Sequence, residues 1–475
     1  MKNEPGLGVP RNVPLRVGGQ YDPRPVGASL SNVGKGPAVM KLGRAATGTC
    51  RRMGWGLLVT LALCIGLTPM SARAQALTQT RPEAVGLSSE RLARLSRQLD
   101  DYVAKEQLAG GVALIARRGQ VAYVKAFGQR DREARDPMRE DSIFRIASQT
   151  KGIVSVAAMI LQEQGKLLIS DPVGKYIPEF RETTVAVPKD GGGYEVVKAK
   201  RPVTIRDLLT HTSGVGYGGG IAKDKWEEAK ITGYYFADRD EPIAATVARM
   251  GKLPFDAHPG EAYIYGYNTD ILGVVVEKAS GMPLDQFLQE ALFTPLGMTD
   301  THFYLPRDKA QRLSVVYFPT GPTGLKRSPE AGSSGQGAYL EGPRQSFSGG
   351  AGLLSTARDY GRFLQMLLNG GELDGQRILS RKTVELMTVN HLAGVKFPFN
   401  TGVGFGLGFS VLEDVGARGT PGSRGEFGWG GAYHSTYWVD PREQLVVVYF
   451  TQLIPADGID DHGKLRALIY QAIVD

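Results

Sequence analysis

Residues 153–161 read Ile-Val-Ser-Val-Ala-Ala-Met-Ile-Leu, eight apolar residues around one serine, with no charge. The pattern predicts a helix from about Thr150 to Gln164 that stops at Gly165. A helix that is apolar all round has no face to give to water, so it must lie inside a domain whose other elements wrap it. Composition allows that wrapping: 42% of the 475 residues are hydrophobic and 22% charged, well away from disordered chains.

The elements on either side predict how the wrapping is arranged. Ser88 can cap a helix whose Leu92, Leu95, Leu99, Tyr102 and Val103 share one face. Residues 111–116 and 121–127 form a β-hairpin across 117–120. A second hairpin over 185–197 carries a Gly-rich tip at 190–193, and 200–345 mixes short helical patterns with long Gly/Pro loops. The chain ends in strands at 409–412, 435–439 and 445–451 and a helix at about 463–473, with Leu465, Leu468, Ile469, Ala472 and Ile473 on one face. We expect an α+β fold in which both chain ends share one antiparallel sheet flanked by helices. The sheet lobe takes about 80–185 and 346–475, and a mostly helical lobe, 186–345, is inserted. A site belongs in the cleft between them.

The net charge of +8 invites a nucleic-acid or membrane-surface reading. Ten of the 56 lysines and arginines, but only two of the 48 acidic residues, fall in 1–74, so residues 75–475 balance to zero. No overall field remains there to steer a polyanion, and no nucleic-acid partner is expected. Residues 51–74 place Arg51-Arg52 before a short apolar run at about 55–67, then Pro69 and Ala72-Arg73-Ala74. That is the order of a secretory signal peptide cleaved before Gln75, and the run is short of the ~20 residues a spanning helix needs. We therefore expect residues 1–74 to be a leader, 75–475 to be the exported domain, periplasmic or extracellular, and no stable membrane span. Both cysteines, Cys50 and Cys64, fall in the leader, which excludes disulfides, thiolate metal sites and a cysteine nucleophile from 75–475.

The six histidines show no HExxH or similar ligand spacing, so neither metal nor organic cofactor is expected. There is no GxGxxG after a strand, no GxxxxGK[ST] and no GxSxG. One nucleophile pattern remains, Ser148-Gln149-Thr150-Lys151, the single SxxK in the chain. At i and i+3 on the first turn of the apolar helix, hydroxyl and amine share a face. Apolar surroundings push a lysine toward its neutral, basic form, and the helix N-terminus favours developing negative charge.

With these flanks the chain resembles the serine β-lactamase and penicillin-binding superfamily, in its class C β-lactamase-like branch, which holds DD-peptidases and the family VIII carboxylesterases. Five segments in order carry the resemblance: residues 143–151, Thr204 to Gly214 (TIRDLLTHTSG), Pro259 to Tyr265 (PGEAYIY), Gly349 to Leu353 (GGAGL), and Trp429-Gly430-Gly431 ahead of Trp438-Val439-Asp440-Pro441. It implies a β-lactamase/transpeptidase-like fold, with Ser148 as the acylated nucleophile, Lys151 as its proton acceptor and Tyr265 as the proton relay of a Tyr-x-Asn motif. It also implies an oxyanion hole from the backbone N–H groups of Ser148 and Ala432.

Two positions depart from the pattern. The motif's asparagine is replaced by Tyr267, with Asn268 one residue late, and the Lys-Thr-Gly of lactamases and peptidases is Trp429-Gly430-Gly431. Trp and Gly supply neither charge nor hydroxyl to a substrate carboxylate, and Trp-Gly-Gly is similar to the esterase members. Tyr217, Tyr263, Tyr267 and Trp429 are expected to make an aromatic pocket with Gly430, Gly431 and His434, His211 to order its turn, and Arg424 to be the one stand-in for the missing lysine. The expected activity is hydrolysis of small carboxylic esters. The alternatives are a β-lactamase or DD-peptidase, an acyltransferase, and a non-catalytic scaffold. Oligomeric state is not encoded.

Overall fold

The computed structural model describes residues 77–456 and 458–475; the expected leader, 1–74, lies outside them. Helix α1 (Ser89–Ala104) starts where the Ser88 side chain accepts a hydrogen bond from the Arg91 N–H. Strands β1 (Gly110–Arg117) and β2 (Gln120–Asp131) form the first hairpin, and β3 (Asp136–Pro137) pairs beside β2. Helix α2 (Thr150–Glu163) is buried at every position from Thr150 to Leu161, as an all-round apolar helix requires. Helix α3 (Asn268–Ser280) packs in the same core, and α4 (Ala357–Leu368) follows. The C-terminal part supplies β4 (Val403–Phe405), β5 (Ser410–Leu412), β6 (Phe427–Gly431), β7 (Ser435–Asp440), β8 (Leu445–Thr451) and α5 (Asp461–Tyr470).

The strands form one sheet in the order β4-β5-β6-β7-β8-β1-β2-β3, its pairs antiparallel. The two chain ends meet at β1 and β8, in register Leu114↔Val448. Both strands are buried throughout, and their residues alternate between two cores. Ala113, Ile115, Val447 and Tyr449 face the layer of α1 and α5. Val112, Leu114, Val446 and Val448 face the layer of α2 and α4. The fold expected from the sequence, a shared antiparallel sheet with helices on it, is the fold observed. Between α2 and β4 lie the hairpin Thr184–Pro188/Tyr194–Lys198 and short helices such as Ile205–Leu209 and Ile243–Met250; the two helices bury their apolar residues in the core that holds α2.

Candidate active site

Ser148 occupies a single tight turn, Ala147–Gln149, that runs directly into α2. The turn is sharp because Ala147 is left-handed, φ 43°, a conformation costly for a residue with a Cβ. Packing holds it there: Ala147 is fully buried in one cluster with Val316 and Tyr433. One turn on, Lys151 is 2% exposed. Its Nζ donates to the carbonyl of Gly350 at 2.7 Å, to Tyr217 Oη at 3.2 Å and to Ser148 Oγ at 3.4 Å, which accounts for three ammonium hydrogens.

The carbonyl that receives Lys151 is itself fixed. The buried carboxylate of Asp270, on α3, accepts from Gly350 N–H at 3.0 Å and from Ser348 Oγ at 2.6 Å. Burial pushes the Asp270 carboxyl up and the nearby Lys151 pulls it down. Glycine is required in this loop because a Cβ on Gly350 would stand 2.3 Å from the Asp270 carboxylate, and one on Gly349 2.5 Å from the Thr269 carbonyl. Nothing in the sequence singles out Asp270. It lies five residues after Tyr265, inside α3, where an acid reads as an ordinary helix residue.

Tyr265 closes the site above the lysine, with the centre of its ring 4.7 Å from Lys151 Nζ. Its hydroxyl accepts from Trp429 Nε1 at 3.1 Å, so the tryptophan of the third motif touches the tyrosine of the second. Behind Tyr265 packs His211, with ring centres 4.8 Å apart. Burial, reinforced by Lys151, holds His211 well below the ordinary histidine range, so it stays neutral. His211 is left-handed, φ 57°, and its carbonyl accepts from Ile264 N–H at 2.8 Å, which ties its turn to the loop carrying Tyr265. Asn268 fastens the same two loops, its carboxamide meeting Ser213 Oγ and the carbonyls of Ile264 and Val215.

Strand β6 forms the opposite wall. Its pairing with β5 ends at Gly428, so residues 429–431 pair with β7 alone. A Cβ on Gly431 would lie 2.5 Å from the Ile146 carbonyl, so only glycine lets the strand come this close to the Ser148 turn. Ser148, Tyr217, Tyr265, Phe399, Trp429 and Ala432 line one end of a cavity of about 530 Å³, within the range of small-molecule sites.

The structure brings Ser148, Lys151, Tyr265, Trp429, Gly430, Gly431, Ala432 and His434 together and corrects three other assignments. Tyr267 does not line the cavity: it is fully buried, stacked on Trp226 with ring centres 5.6 Å apart, because it leads into α3 and points into the core. Tyr263 is likewise packed away, against Phe397 and Phe405. Arg424 is exposed and outside the cavity, whereas Arg418 and Arg466 line it. Tyr217 proves more than a wall: its hydroxyl meets Lys151, and burial raises its pKa well above the usual value, keeping it neutral. His434 does line the cavity, but its Nε2 is taken up by Asp461 at 2.7 Å and its ring lies on His462 with centres 4.1 Å apart.

The fold gathers His434, Asp461 and His462 within 4.8 Å, a donor set that residue spacing did not reveal. The imidazoles lie within 10° of parallel. Lone pairs in parallel stacked rings do not converge on one ion, so the arrangement works as a clamp between the β6–β7 turn and α5.

A serine and a buried lysine one turn apart, with a tyrosine and a bare strand edge facing them, leave few families open. The profile of the family described as Beta-lactamase matches residues 95–470. The chain belongs to the β-lactamase family. It is a serine hydrolase of the β-lactamase fold, close to the family's esterases. Esterase EstB of Burkholderia gladioli is 34% identical over 392 residues, covering 78% of this chain and 93% of EstB. Lovastatin esterase of Penicillium rubens is 31% identical over 369 residues, 72% of this chain and 88% of that one. Among solved structures, EstCE1, described as a hydrolase with promiscuous acyltransferase activity, superposes with a TM-score of 0.68 at 28% identity, covering 80% of this chain and 99% of EstCE1.

Proposed function

We propose that this β-lactamase-family protein hydrolyses small carboxylic esters through an acyl-enzyme on Ser148. For acylation Lys151 first gives up one of its three hydrogens to solvent, and the resulting amine takes the Ser148 Oγ proton while Oγ bonds to the ester carbonyl carbon. The tetrahedral oxyanion accepts from the N–H groups of Ser148 and Ala432. The C–O bond to the alcohol then breaks, and the leaving oxygen takes the proton from Lys151, with the Tyr265 hydroxyl as the relay that the family resemblance implies. Water enters by the same relay in reverse, giving up its proton as it attacks the acyl carbon and releasing the acid from Ser148.

The observation that carries the ester reading is Trp429. At the place where a lysine would hold the carboxylate of a β-lactam or cell-wall peptide stands an indole whose N–H is spent on Tyr265 Oη. The names of EstB and lovastatin esterase support the same choice. Acyl transfer to an alcohol shares the first half-reaction, and the description of EstCE1 makes it the second reading. We further place the activity outside the cytoplasm, on the leader pattern of residues 51–74; a secreted protein beginning at Gln75 is the expected N-terminal sequence.

The test is a parallel assay of residues 75–475 and the Ser148→Ala variant on p-nitrophenyl butyrate and a chromogenic cephalosporin. Ester turnover that dominates and vanishes in the variant is expected. Dominant cephalosporin turnover would overturn the role given to Trp429, and ester turnover that survives Ser148→Ala would overturn the nucleophile.

A further inference from the structure

The cavity that holds Ser148 is longer than a small ester needs. Gly428 and Gly430 alternate with Trp429 and so face the other side of β6, toward α5. Their neighbours across the sheet are Ser410 on β5 and Trp438 and Thr436 on β7. Gly430 leaves this side of the strand bare, with only the Ser435 carbonyl within reach of a Cβ at 3.2 Å, whereas a Cβ on Gly428 would press to 2.4 Å against the Tyr437 carbonyl. Gly428, Gly430, Ser410, Thr436 and Trp438 line the same cavity as Ser148.

At the far end stand Arg418, Glu426 and Arg466. Glu426 is fully engaged: Arg466 meets both its oxygens, at 2.6 and 2.7 Å, and the Tyr470 hydroxyl donates to it at 2.7 Å. Arg466 also donates to the Pro421 carbonyl at 2.8 Å and stacks over Trp438. Arg418 is only partly exposed. Among the described residues its guanidinium makes no hydrogen bond or ion pair, and it shares this end with a like charge while Glu426 is already paired. A guanidinium has five N–H donors in a fork matched to a carboxylate, and leaving them unpaired while partly desolvated is unfavourable.

We propose that this end of the cavity is an anion subsite built on Arg418, so that the preferred ester carries a carboxylate at the end of a long chain. The proposal rests on the ester-hydrolase reading above. From Ala432 back to Glu426 is six residues of extended chain, roughly 20 Å at 3.3 Å per residue. A substrate must therefore place about 15 atoms between the reacting carbonyl and its carboxylate. The wall of β6 facing Ser148 offers no anchor for a carboxylate, with Trp429 in the lysine's place, and the substrate's charge is read at a distance.

The experiment compares mono-p-nitrophenyl esters of adipic, dodecanedioic and hexadecanedioic acids with their methyl-capped, neutral counterparts, on the wild-type protein and Arg418→Gln. A second arm uses acetate esters of ω-hydroxy acids of matched length, to show whether the carboxylate belongs on the acyl or the alcohol side. For the hexadecanedioate ester, whose chain matches the span, kcat/KM is expected to favour the anionic member by about tenfold, the size of one charge-assisted hydrogen bond, with a smaller preference for the shorter dodecanedioate. That ratio should collapse toward one in Arg418→Gln, shrink as salt rises, and be absent for adipate. A ratio near one on the wild-type protein, with neutral esters still turned over, overturns the subsite and leaves the esterase reading intact. So does a high ratio that Arg418→Gln leaves unchanged. If no ester is turned over, the esterase reading fails, and calorimetry of free hexadecanedioate with Ser148→Ala decides the subsite alone. Saturable, salt-sensitive binding supports it and no binding overturns it. Should Arg418→Gln not fold, the wild-type ratio decides: a fall with rising salt supports the subsite, and a ratio indifferent to salt overturns it.

Discussion

Gly431 shows how one missing methyl holds this site together. Its hydrogen stands where a Cβ would press to 2.5 Å against the Ile146 carbonyl, a backbone atom with no rotamer to escape into. Gly431→Ala must push β6 off the Ser148 turn and take the Ala432 N–H out of place. Losing one oxyanion donor costs about a hundredfold or more in kcat, so a fall of that size on p-nitrophenyl butyrate is expected. An unchanged kcat with normal thermal unfolding would show that the close approach is not used. At this scale the sequence was informative where spacing along one helix decides geometry, as at Ser148 and Lys151. It was misleading at Tyr267 and Arg424: of two tyrosines expected in the pocket Tyr217 lines it and Tyr267 does not, and Arg418 lines it where Arg424 was expected. All four sit in loops or beside helix ends, where the direction of a side chain is set by what packs behind it.

Elements with a clean period were legible. Helix α1 begins at the Ser88 cap, and its buried residues are Leu92, Leu95, Leu99 and Tyr102, all four on the face read from the pattern. The cap lies far from Ser148 in the fold's other core, so Ser88→Ala should cost about 1 kcal/mol of stability and leave kcat/KM unchanged. Chemical denaturation read beside the ester assay checks both; a matching loss of activity would mean that α1 is coupled to the site. Two elements are hard to see in the sequence, for different reasons. Helix α4 is overshadowed by the Gly-rich segment before it, although Thr356 caps it by accepting from the Asp359 N–H and Tyr360, Phe363, Leu364 and Leu367 recur at helical spacing. Strand β4 has three residues, too few for alternation to register. Helix α5 begins two residues before the expected start, because Asp461 is drawn in by long-range partners: it accepts from Tyr449 Oη at 2.9 Å and pairs with His434.

For the molecule as a whole, burial of ionisable groups predicts a pH profile with opposing parts. Burial holds His302 and His462 down to about 4, so their contribution to stability is present above about pH 6.5 and is lost as pH falls toward 4. Burial raises Asp359 to about 6, so its contribution is full below about pH 4 and is lost as pH rises through 6. The acid and the histidines therefore partly cancel between pH 4 and 6. Asp359→Asn keeps an acceptor for the Asp300 N–H and Thr301 hydroxyl but removes the cancelling part. The variant should gain on the order of 2–3 kcal/mol near pH 7 relative to pH 4 and show a steeper acid-side fall in Tm; parallel Tm curves for the two proteins would contradict this. The sequence by itself determined that a serine and a lysine stand one turn apart at the head of a buried helix, and which segments are long strands, because both follow from periods of 3.6 and 2; the roles expected of the pair rest on the family resemblance. Only the tertiary structure decided which aromatic residues and which arginine face the cavity, and that His434 is clamped to Asp461. Those contacts join residues far apart in the chain, and only the packing of the two cores around one sheet brings them within reach of each other.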